Sequence, residues 1–359
     1  MGGYGGGVPL RLSSKERVLT TFAHETPDRV PAWCGASVEF WEKAKKTLGK
    51  DDEALRQFFG DDFRRVFAAY AGSEFPLVDP RATCRTLFGV EREGLGYGQP
   101  INHPLEKATL DDIHAYAWPV PEWMDASGVR DAALQWQGEY AILGGDWSPF
   151  WHDAIDLFGM EGLMTRMYEA PETVDALLEH IVDFYFGSSQ RIFDVAADAL
   201  DIFFFGNDLG TQHGPLVSEA TYRRFVFPHL KRLSQLAKDY NLKVMMHCCG
   251  GVAELIPMFI EAGIDALHAV QPSCRGMDLR TLKKEYGDRM VFNGAIDSHH
   301  VLIGSSPDEV RIATREVLDI MKPGGGFIAG ASHDTILEET PVENVTAMFE
   351  TIREYGVYA

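Results

Sequence analysis

Short apolar runs alternate with longer amphipathic stretches in the second half of the chain, from about Asp201 onward. The apolar runs are 202–205, 243–249, 266–270, 290–296 and 326–330, and each ends in polar or small residues. The stretches between them, 218–240, 252–262, 278–286 and 307–321, carry apolar residues at helical spacing. Parallel sheets covered by helices produce this alternation, so the pattern predicts strand–helix units in series.

Three further apolar runs upstream, 29–34, 65–70 and 140–144, bring the predicted strands to the eight of a closed barrel. Segment 84–104 is glycine-rich and predicts an inserted hairpin or loop, whereas 160–197 predicts one or two long helices. No linker or internal repeat divides the chain. We therefore predict a flexible tail over residues 1–12 and a single α/β domain, a (β/α)8 TIM barrel, over 13–359.

Composition narrows the classes of partner. A formal net charge of −20 on 359 residues opposes binding to nucleic acid and to anionic membrane surfaces. No apolar run approaches the roughly 20 residues of a membrane span, and the N-terminus has no apolar signal core. Five irregularly spaced cysteines argue against a disulfide framework. We therefore expect a cytoplasmic protein whose special cysteines, if any, are ligands or nucleophiles.

A histidine and a cysteine stand two residues apart at the end of the run 243–249. Side chains alternate along a strand, so His247 and Cys249 should share one face while Cys248 points to the other. The carboxyl ends of barrel strands carry the active site, and imidazole and thiolate are zinc donors. The pair predicts two zinc ligands, although a buried cysteine pair beside a hydrogen-bonded histidine fits the same spacing.

A third zinc ligand is predicted where the last apolar run ends, in Gly330-Ala331-Ser332-His333-Asp334. His333 offers a better donor atom than the neutral hydroxyl of Ser332. The alternative is that His333 caps a turn or contacts the substrate.

The loop after run 202–205 holds the predicted catalytic residue, Asp208, together with Asn207 and Gln212. Such a loop can expose hydrogen-bonding groups to a small ligand, although Asp208 and Asn207 also suit the capping of the next turn. Gln271 and Asp297 end the next strands at the same predicted rim. Trp147 and His152 follow run 140–144 and form either an aromatic wall or packing beneath a loop. The predicted substrate-binding residues are therefore Asn207, Gln212, Gln271, Asp297, Trp147 and His152.

Several motifs, in order, resemble the uroporphyrinogen decarboxylase superfamily from Ser13 to Tyr355. They are Lys15-Glu16-Arg17-Val18, Pro27-Asp28-Arg29-Val30-Pro31, Asn207-Asp208-Leu209-Gly210-Thr211-Gln212, His247-Cys248-Cys249-Gly250, Gln271-Pro272, Gly294-Ala295-Ile296-Asp297 and Pro341-Val342-Glu343-Asn344. The resemblance implies the (β/α)8 barrel that the strand count also predicts.

Within that superfamily, the chain is more similar to the corrinoid-linked methyltransferases than to the true decarboxylases. The decarboxylases have an arginine-rich N-terminal motif and an aspartate after the second strand, where this chain has Val30-Pro31-Ala32-Trp33-Cys34-Gly35 and Ala68-Ala69-Tyr70-Ala71-Gly72. The methyltransferases bind zinc through His-x-Cys and a distant second cysteine. His247 and Cys249 match the first part, and His333 stands where the second cysteine is missing.

The resemblance implies a zinc-dependent methyltransferase that moves a methyl group between a small methylated or thiol substrate and a corrinoid (cobalamin), free or on a corrinoid protein. Two alternatives remain open at this point. One is cofactor-free decarboxylation of a porphyrinogen-like or small carboxylic acid by Asp208 and a cationic partner, and the other is a non-catalytic barrel that binds a metal or small molecule. A homodimer is among the assemblies that the sequence leaves open.

Overall fold

The computed structural model describes residues 11–72, 84–94, 98–333 and 335–358. Most of the tail predicted over residues 1–12 therefore lies outside the described residues. Leu12, the last residue of that predicted tail, exchanges hydrogen bonds with Asp28 and Arg17. The last two residues of the predicted tail therefore belong to the described part of the chain.

Within the described ranges, seven strands form the main sheet, and each pairs in parallel with the next of these strands along the chain. They are β1 Phe63–Arg65, β2 Ala141–Gly144, β3 Ile202–Gly206, β4 Lys243–His247, β5 Ala266–Val270, β6 Val291–Ile296 and β7 Phe327–Ala331. The predicted series of parallel strands from residue 202 onward is confirmed, with ends that shift by one or two residues.

The α-helices of the described residues cover the sheet and its ends. They are α1 Ser14–Phe22, α2 Val38–Leu48, α3 Asp52–Phe59, α4 Leu110–Ala115, α5 Val129–Leu134, α6 Phe150–Phe158, α7 Met160–Glu169, α8 Pro171–Ala196, α9 Glu219–Phe225, α10 Phe227–Asp239, α11 Ile256–Glu261, α12 Leu279–Tyr286, α13 Pro307–Met321 and α14 Val342–Tyr355. None of the helices searched in the described residues combines the length and apolar composition that a membrane span requires.

Short antiparallel pieces and tight helical turns lie outside the main sheet. Cys84–Arg85, Glu91–Glu93 and Gln99–Pro100 form a small sheet, Ala69–Tyr70 pairs with Met124–Asp125, and Gly210–Thr211 pairs with Gly214–Pro215. The 3₁₀ turns are Pro121–Trp123, Ala197–Ala199 and Ala253–Leu255. Ser298–Ile303 forms a π-helical segment. The inserted hairpin predicted within 84–104 is confirmed, and the helical stretch 160–197 divides into α7 and α8 at Ala170.

The sheet curls around a core of its own. Alternation along a strand sends every second side chain to the inner face, and one buried cluster collects side chains from all seven strands. Its strand members are Phe63, Ala141, Leu143, Ile202, Phe204, Met245, Ala266, Val291 and Ile328. Val18 and Phe22 of α1 join the same cluster next to residues that begin the strands. Helix α1 therefore packs against the amino ends of the strands and leaves their carboxyl ends for a site.

The segment predicted as a first strand, 29–34, lies beside the last strand without forming a ladder of its own. Ala32 makes a parallel bridge to Ala329 of β7, and Trp33 N donates to Ala329 O at 2.9 Å. On its other side, Asp62 N donates to Ala32 O at 3.0 Å, just before β1. The main sheet of the described residues thus has seven strands, with this segment bonded near both edges, and closure into an eight-stranded barrel remains a prediction.

The run 65–70 was also misplaced as a strand. The strand is Phe63–Arg65, and Ala69–Tyr70 belongs to a separate antiparallel pair. Charged residues around Phe63 hide the strand in the sequence, because Asp62 and Arg64 are buried in ion pairs despite their charge. A hydrophobicity pattern cannot reveal a strand whose buried residues are charged and paired.

Candidate metal centre

Three metal-donating side chains meet at the carboxyl ends of β3 and β4. Asp208 follows β3 by two residues, His247 ends β4, and Cys249 lies two residues further on. One ligand atom from each lies within 4.8 Å of the other two. The Nε2 atom of His247 is 3.2 Å from the Oδ1 atom of Asp208. The structure therefore places a nitrogen, a sulfur and an oxygen donor around one point.

Asp208 is held as an anion by its surroundings. Burial would raise the pKa of its carboxyl group, but hydrogen bonds from His152 and His247 hold that pKa far below the usual range. Oδ2 lies 3.2 Å from His152 Nε2, and Oδ1 accepts a hydrogen bond from the Cys249 backbone N–H at 3.0 Å. A carboxylate fixed at both oxygens is oriented for a metal and offers negative charge without a protonation cost.

His247 is oriented by a second histidine on the neighbouring strand. The Nδ1 atoms of His247 and His268 are 3.1 Å apart. His268 is completely buried, and burial lowers its pKa well below the ordinary value, so its ring is neutral. Backing of this kind fixes the ring of a metal-binding histidine and directs its other nitrogen at the metal.

The two adjacent cysteines have different surroundings. The Cys249 sulfur belongs to the donor cluster, whereas the Cys248 sulfur is buried in the hydrophobic core and accepts a hydrogen bond from Leu209 N at 3.4 Å. Burial, and next the carboxylate of Asp208, raise the pKa of both thiols. The two residues that follow β4 therefore place one sulfur in the donor cluster and the other in the core.

A cavity of about 500 Å³ is lined by two of the three donors, and Cys249 is not among its lining residues. Asp208, His247, His333, His152 and Trp147 all line it. The Trp147 ring packs 5.9 Å from the His247 ring, measured between centroids. The Trp147 ring has room at this position because residue 206 is glycine, since a Cβ atom there would lie 2.4 Å from ring atoms of Trp147. Both Trp147 and His152 therefore lie where they can contact a small ligand.

His333 lies on the cavity wall but outside the donor cluster found among the described residues. Its Nδ1 atom accepts a hydrogen bond from the backbone N–H of Thr335 at 3.2 Å. Asp208, predicted as the catalytic residue, occupies the third donor position that the sequence assigned to His333. The role of His333 as a zinc ligand remains a prediction.

A second cavity of about 630 Å³ adjoins the first and shares His333 with it. Gln212, Gln271 and Asp297, which are predicted to bind substrate, line this second cavity. Gln271 Oε1 accepts from Gly250 N at 2.8 Å, and Asp297 Oδ1 accepts from the backbone N–H groups of His299 and His300. The predicted rim thus divides between two neighbouring cavities.

Asn207 serves the backbone rather than a cavity. Its side chain is completely buried, Oδ1 accepts from Trp151 N at 2.9 Å, and Nδ2 donates to Ser148 O at 3.2 Å. These bonds attach the loop after β2 to the end of β3. Asn207 therefore has a positioning role, which differs from the capping of the next turn that the sequence left open, and its assignment to substrate binding remains a prediction.

Several cavity residues were missed by the sequence analysis. Arg85, Phe88 and Arg92 come from the inserted hairpin, and Asp153 and Tyr185 come from helices α6 and α8. Asp153 has a local signal, because it is an acid directly after His152 in a largely apolar helix. The hairpin residues have none, since only the long-range fold brings them over the carboxyl ends of the strands.

The chain is similar to methyltransferases and to decarboxylases. A methylcobamide:CoM methyltransferase, MtbA, of Methanosarcina mazei is 23% identical over 363 residues, covering 95% of this chain and 98% of that protein. A methylated-thiol–coenzyme M methyltransferase of the same organism is 27% identical over 55% of this chain and 53% of its own length. A uroporphyrinogen decarboxylase of Syntrophotalea carbinolica is 25% identical over 62% of each chain.

The fold and the family agree with these relatives. A solved structure of a methyltransferase from Methanosarcina mazei matches with a TM-score of 0.69 and 18% identity, covering 96% of this chain and 99% of that one. At that identity the likeness concerns the fold. The family model described as Uroporphyrinogen decarboxylase (URO-D) matches residues 98–355, which is more than half of the chain. The chain therefore belongs to the uroporphyrinogen decarboxylase (URO-D) family.

Proposed function

We propose that this protein is a zinc-dependent methyltransferase that moves a methyl group between a small thiol or methylated substrate and a corrinoid carrier. The observation that carries the proposal is the convergence of Asp208, His247 and Cys249 at a cavity of about 500 Å³ that Asp208 and His247 line. The relatives named as methylcobamide:CoM and methylated-thiol methyltransferases support the reaction class and the corrinoid partner. With this function we also propose the closed (β/α)8 barrel and the cytoplasmic location predicted from the sequence.

The donor set fits zinc. Zinc takes nitrogen, sulfur and oxygen donors, and its bonds of about 2.0–2.3 Å place tetrahedral donors about 3.3–3.8 Å apart. The 3.2 Å between His247 Nε2 and Asp208 Oδ1 is close to that spacing. Three protein donors would leave one position open, which is the arrangement of a catalytic rather than a structural zinc site.

The residues around the donors also suit a bound cation. With zinc on Nε2, the ring proton of His247 belongs on Nδ1, where the neutral His268 Nδ1 at 3.1 Å can accept it. His152 holds the second oxygen of Asp208. Zinc supplies one thing here, a positive charge that keeps a bound thiol ionised at neutral pH and therefore nucleophilic.

The chain itself supplies the enclosure. Trp147 and His152 line the cavity beside the donors. Phe88 of the inserted hairpin lines the same cavity. Enclosure by aromatic side chains excludes water from the reacting sulfur and holds the methyl donor and acceptor in one orientation.

Zinc removal tests the proposal. Protein purified without added metal should contain about one zinc per chain, and it should transfer the methyl group of methylcobalamin to coenzyme M or 2-mercaptoethanol, followed by corrinoid absorbance. After zinc is removed with a chelator, the rate should fall to background, and zinc alone should restore it. Zinc-loaded protein that transfers no methyl group to either thiol would contradict the proposal.

The third zinc ligand can be decided by two variants. We expect Asp208→Asn to weaken zinc binding at least about 10-fold, because the carboxylate charge lies inside the donor cluster. His333→Ala should weaken it less, because His333 lies outside that cluster. Competition with a chromophoric chelator measures both affinities. A larger loss in His333→Ala would favour His333, the third ligand predicted from the sequence, over Asp208.

Decarboxylation is the second candidate, and two cavity residues favour it. Arg85 and Arg92 line the same cavity as Asp208 and provide the cationic partners that a carboxylate substrate needs. Arg92 is paired with Asp156, which reduces the charge available to a substrate. Decarboxylation of a small acid that continues after zinc removal would support this function against the methyltransferase. A barrel that binds zinc without either turnover would be the non-catalytic alternative.

A further inference from the structure

A buried carboxyl group at the cavity has no role in the zinc chemistry described above. Asp153 lines the cavity on helix α6, directly after His152, and its exposed fraction is 7%. The Tyr185 hydroxyl group on α8 donates a hydrogen bond of 2.6 Å to Asp153 Oδ2. A carboxyl group buried at the edge of a reaction cavity, and held by one neutral donor, is suited to exchange protons with a ligand.

We propose that Asp153 is the residue that exchanges a proton with the heteroatom of the small substrate, which is a thiol in the methyl-accepting direction. In this direction the S–H bond breaks, its electron pair stays on sulfur, and the proton forms an O–H bond on the Asp153 carboxylate. In the reverse direction the same proton returns to the leaving heteroatom. No atom changes its oxidation state in this step. The inference rests on the proposed function for the identity of the heteroatom.

The charged groups that face Asp153 act in opposite directions on the ionisation of its carboxyl group. Asp156 on the same helix opposes ionisation of Asp153, whereas His152 on that helix and Arg92 of the hairpin favour it. Burial is the largest influence, and together with Asp156 it outweighs the Tyr185 hydrogen bond and raises the pKa of Asp153 to about 7. The carboxyl group therefore changes its protonation state near neutral pH, where a proton acceptor for a thiol is effective.

The dependence of thiol binding on pH tests the proposal, with 2-mercaptoethanol as the probe for the zinc-loaded protein. Below about pH 7, Asp153 already carries a proton, so the proton of the thiol goes to solvent and the affinity rises about tenfold per pH unit. Above about pH 7, the Asp153 carboxylate takes the proton and the affinity levels off. In Asp153→Asn there is no acceptor, so the affinity should keep rising about tenfold per unit up to pH 9.

Two further variants separate a proton role from a structural one. Tyr185→Phe keeps the ring and removes the hydrogen bond that favours the ionised carboxyl group, so the levelling point should move to higher pH. Asp146→Asn is the matched control. Asp146 is another carboxyl group bound to α8, through the Ser188 hydroxyl group at 2.6 Å, but it is not among the residues that line the cavity. The thiol affinity of this control variant should level off near the same pH as that of the wild type.

Infrared spectroscopy provides a readout that needs no methyl transfer. At pH 8, the thiol should produce the carbonyl stretch of a protonated carboxyl group in the wild type and none in Asp153→Asn. Methyl transfer without this band, or levelling that persists in Asp153→Asn, would overturn the proton role alone. The band without methyl transfer would support the proton role and contradict the proposed function. A zinc-loaded wild type that does not bind the thiol would contradict both.

Discussion

Replacing either His247 or Cys249 with alanine is expected to lower zinc affinity by more than about 100-fold. Loss of groups that only support a zinc ligand already costs about 10- to 100-fold, and these two side chains are themselves in the donor cluster. A site with three protein donors has no spare ligand, so each loss also removes the geometry of the open position. Zinc affinity is measured by chelator competition, with the metal content of the purified variants as a second readout.

Cys248→Ala is the matched control for Cys249→Ala. The two cysteines are adjacent in the chain, yet the Cys248 sulfur lies in the hydrophobic core against Leu209 N. This variant should keep the zinc affinity of the wild type, although it removes the same chemical group one residue away. Equal zinc affinity in Cys249→Ala and the wild type, or loss of zinc in Cys248→Ala, would mean that the sulfur assignment is wrong by one residue.

The local part of this site could be predicted from the sequence because strand alternation is a local rule. His247 ends β4 and Cys249 follows it by two residues, so continuing the strand alternation past the end of β4 predicts that the two side chains share a face. The contribution of Asp208 was foreseen as catalysis rather than metal binding. Its distance from His247 depends on the loop after β3, and loop conformation does not follow from periodicity.

Residues further around the rim were harder to place. Gln271, Asp297 and His333 do end neighbouring strands, as predicted, but the end of a strand fixes only a direction. The turns that follow take Gln271 and Asp297 into the second cavity, while His333 lies between the two. The walls of the first cavity come partly from the hairpin 84–100, which is joined to the site only through the tertiary fold.

The N-terminal motifs have a structural explanation that the resemblance alone did not provide. Arg17 and Arg29, from the two motifs quoted first, both reach the buried carboxylate of Asp62 before β1. Their charges are therefore used within the fold, at the amino ends of the strands, and not at the cavity. The strand β1 was missed in the sequence for the same reason, since its neighbours are charged residues that the fold buries in pairs.

Replacing Asp62 with asparagine is expected to lower the free energy of unfolding by about 3 to 5 kcal/mol, the cost of removing one partner from a buried ion pair. The Asp62 side chain is completely buried and accepts hydrogen bonds from Arg17 at 2.7 Å and from Arg29 at 2.9 Å. The Ser14 hydroxyl group and the Ala32 backbone N–H also donate to it, at 2.6 and 2.8 Å. An amide offers one acceptor oxygen and no charge, so Arg29 would lose its counter-ion and Arg17 would keep only its pair with Asp28. Urea denaturation followed by circular dichroism measures the change.

Asp198→Asn is the control for this variant, because Asp198 forms an exposed ion pair with Arg130 and exposed pairs contribute little to stability. Its unfolding midpoint should stay close to that of the wild type.

The Asp62 carboxylate joins α1, the segment around Ala32 and the start of β1, so its loss should act first on the contact between that segment and β7. The Trp33 N–H donates to Ala329 O, and the Ala329 N–H donates to Pro31 O. Exchange of these two amides should therefore accelerate in Asp62→Asn at urea concentrations too low to unfold the sheet. If exchange rises equally in all strands, or if Asp62→Asn is no less stable than Asp198→Asn, the buried carboxylate does not hold the two edges of the sheet together.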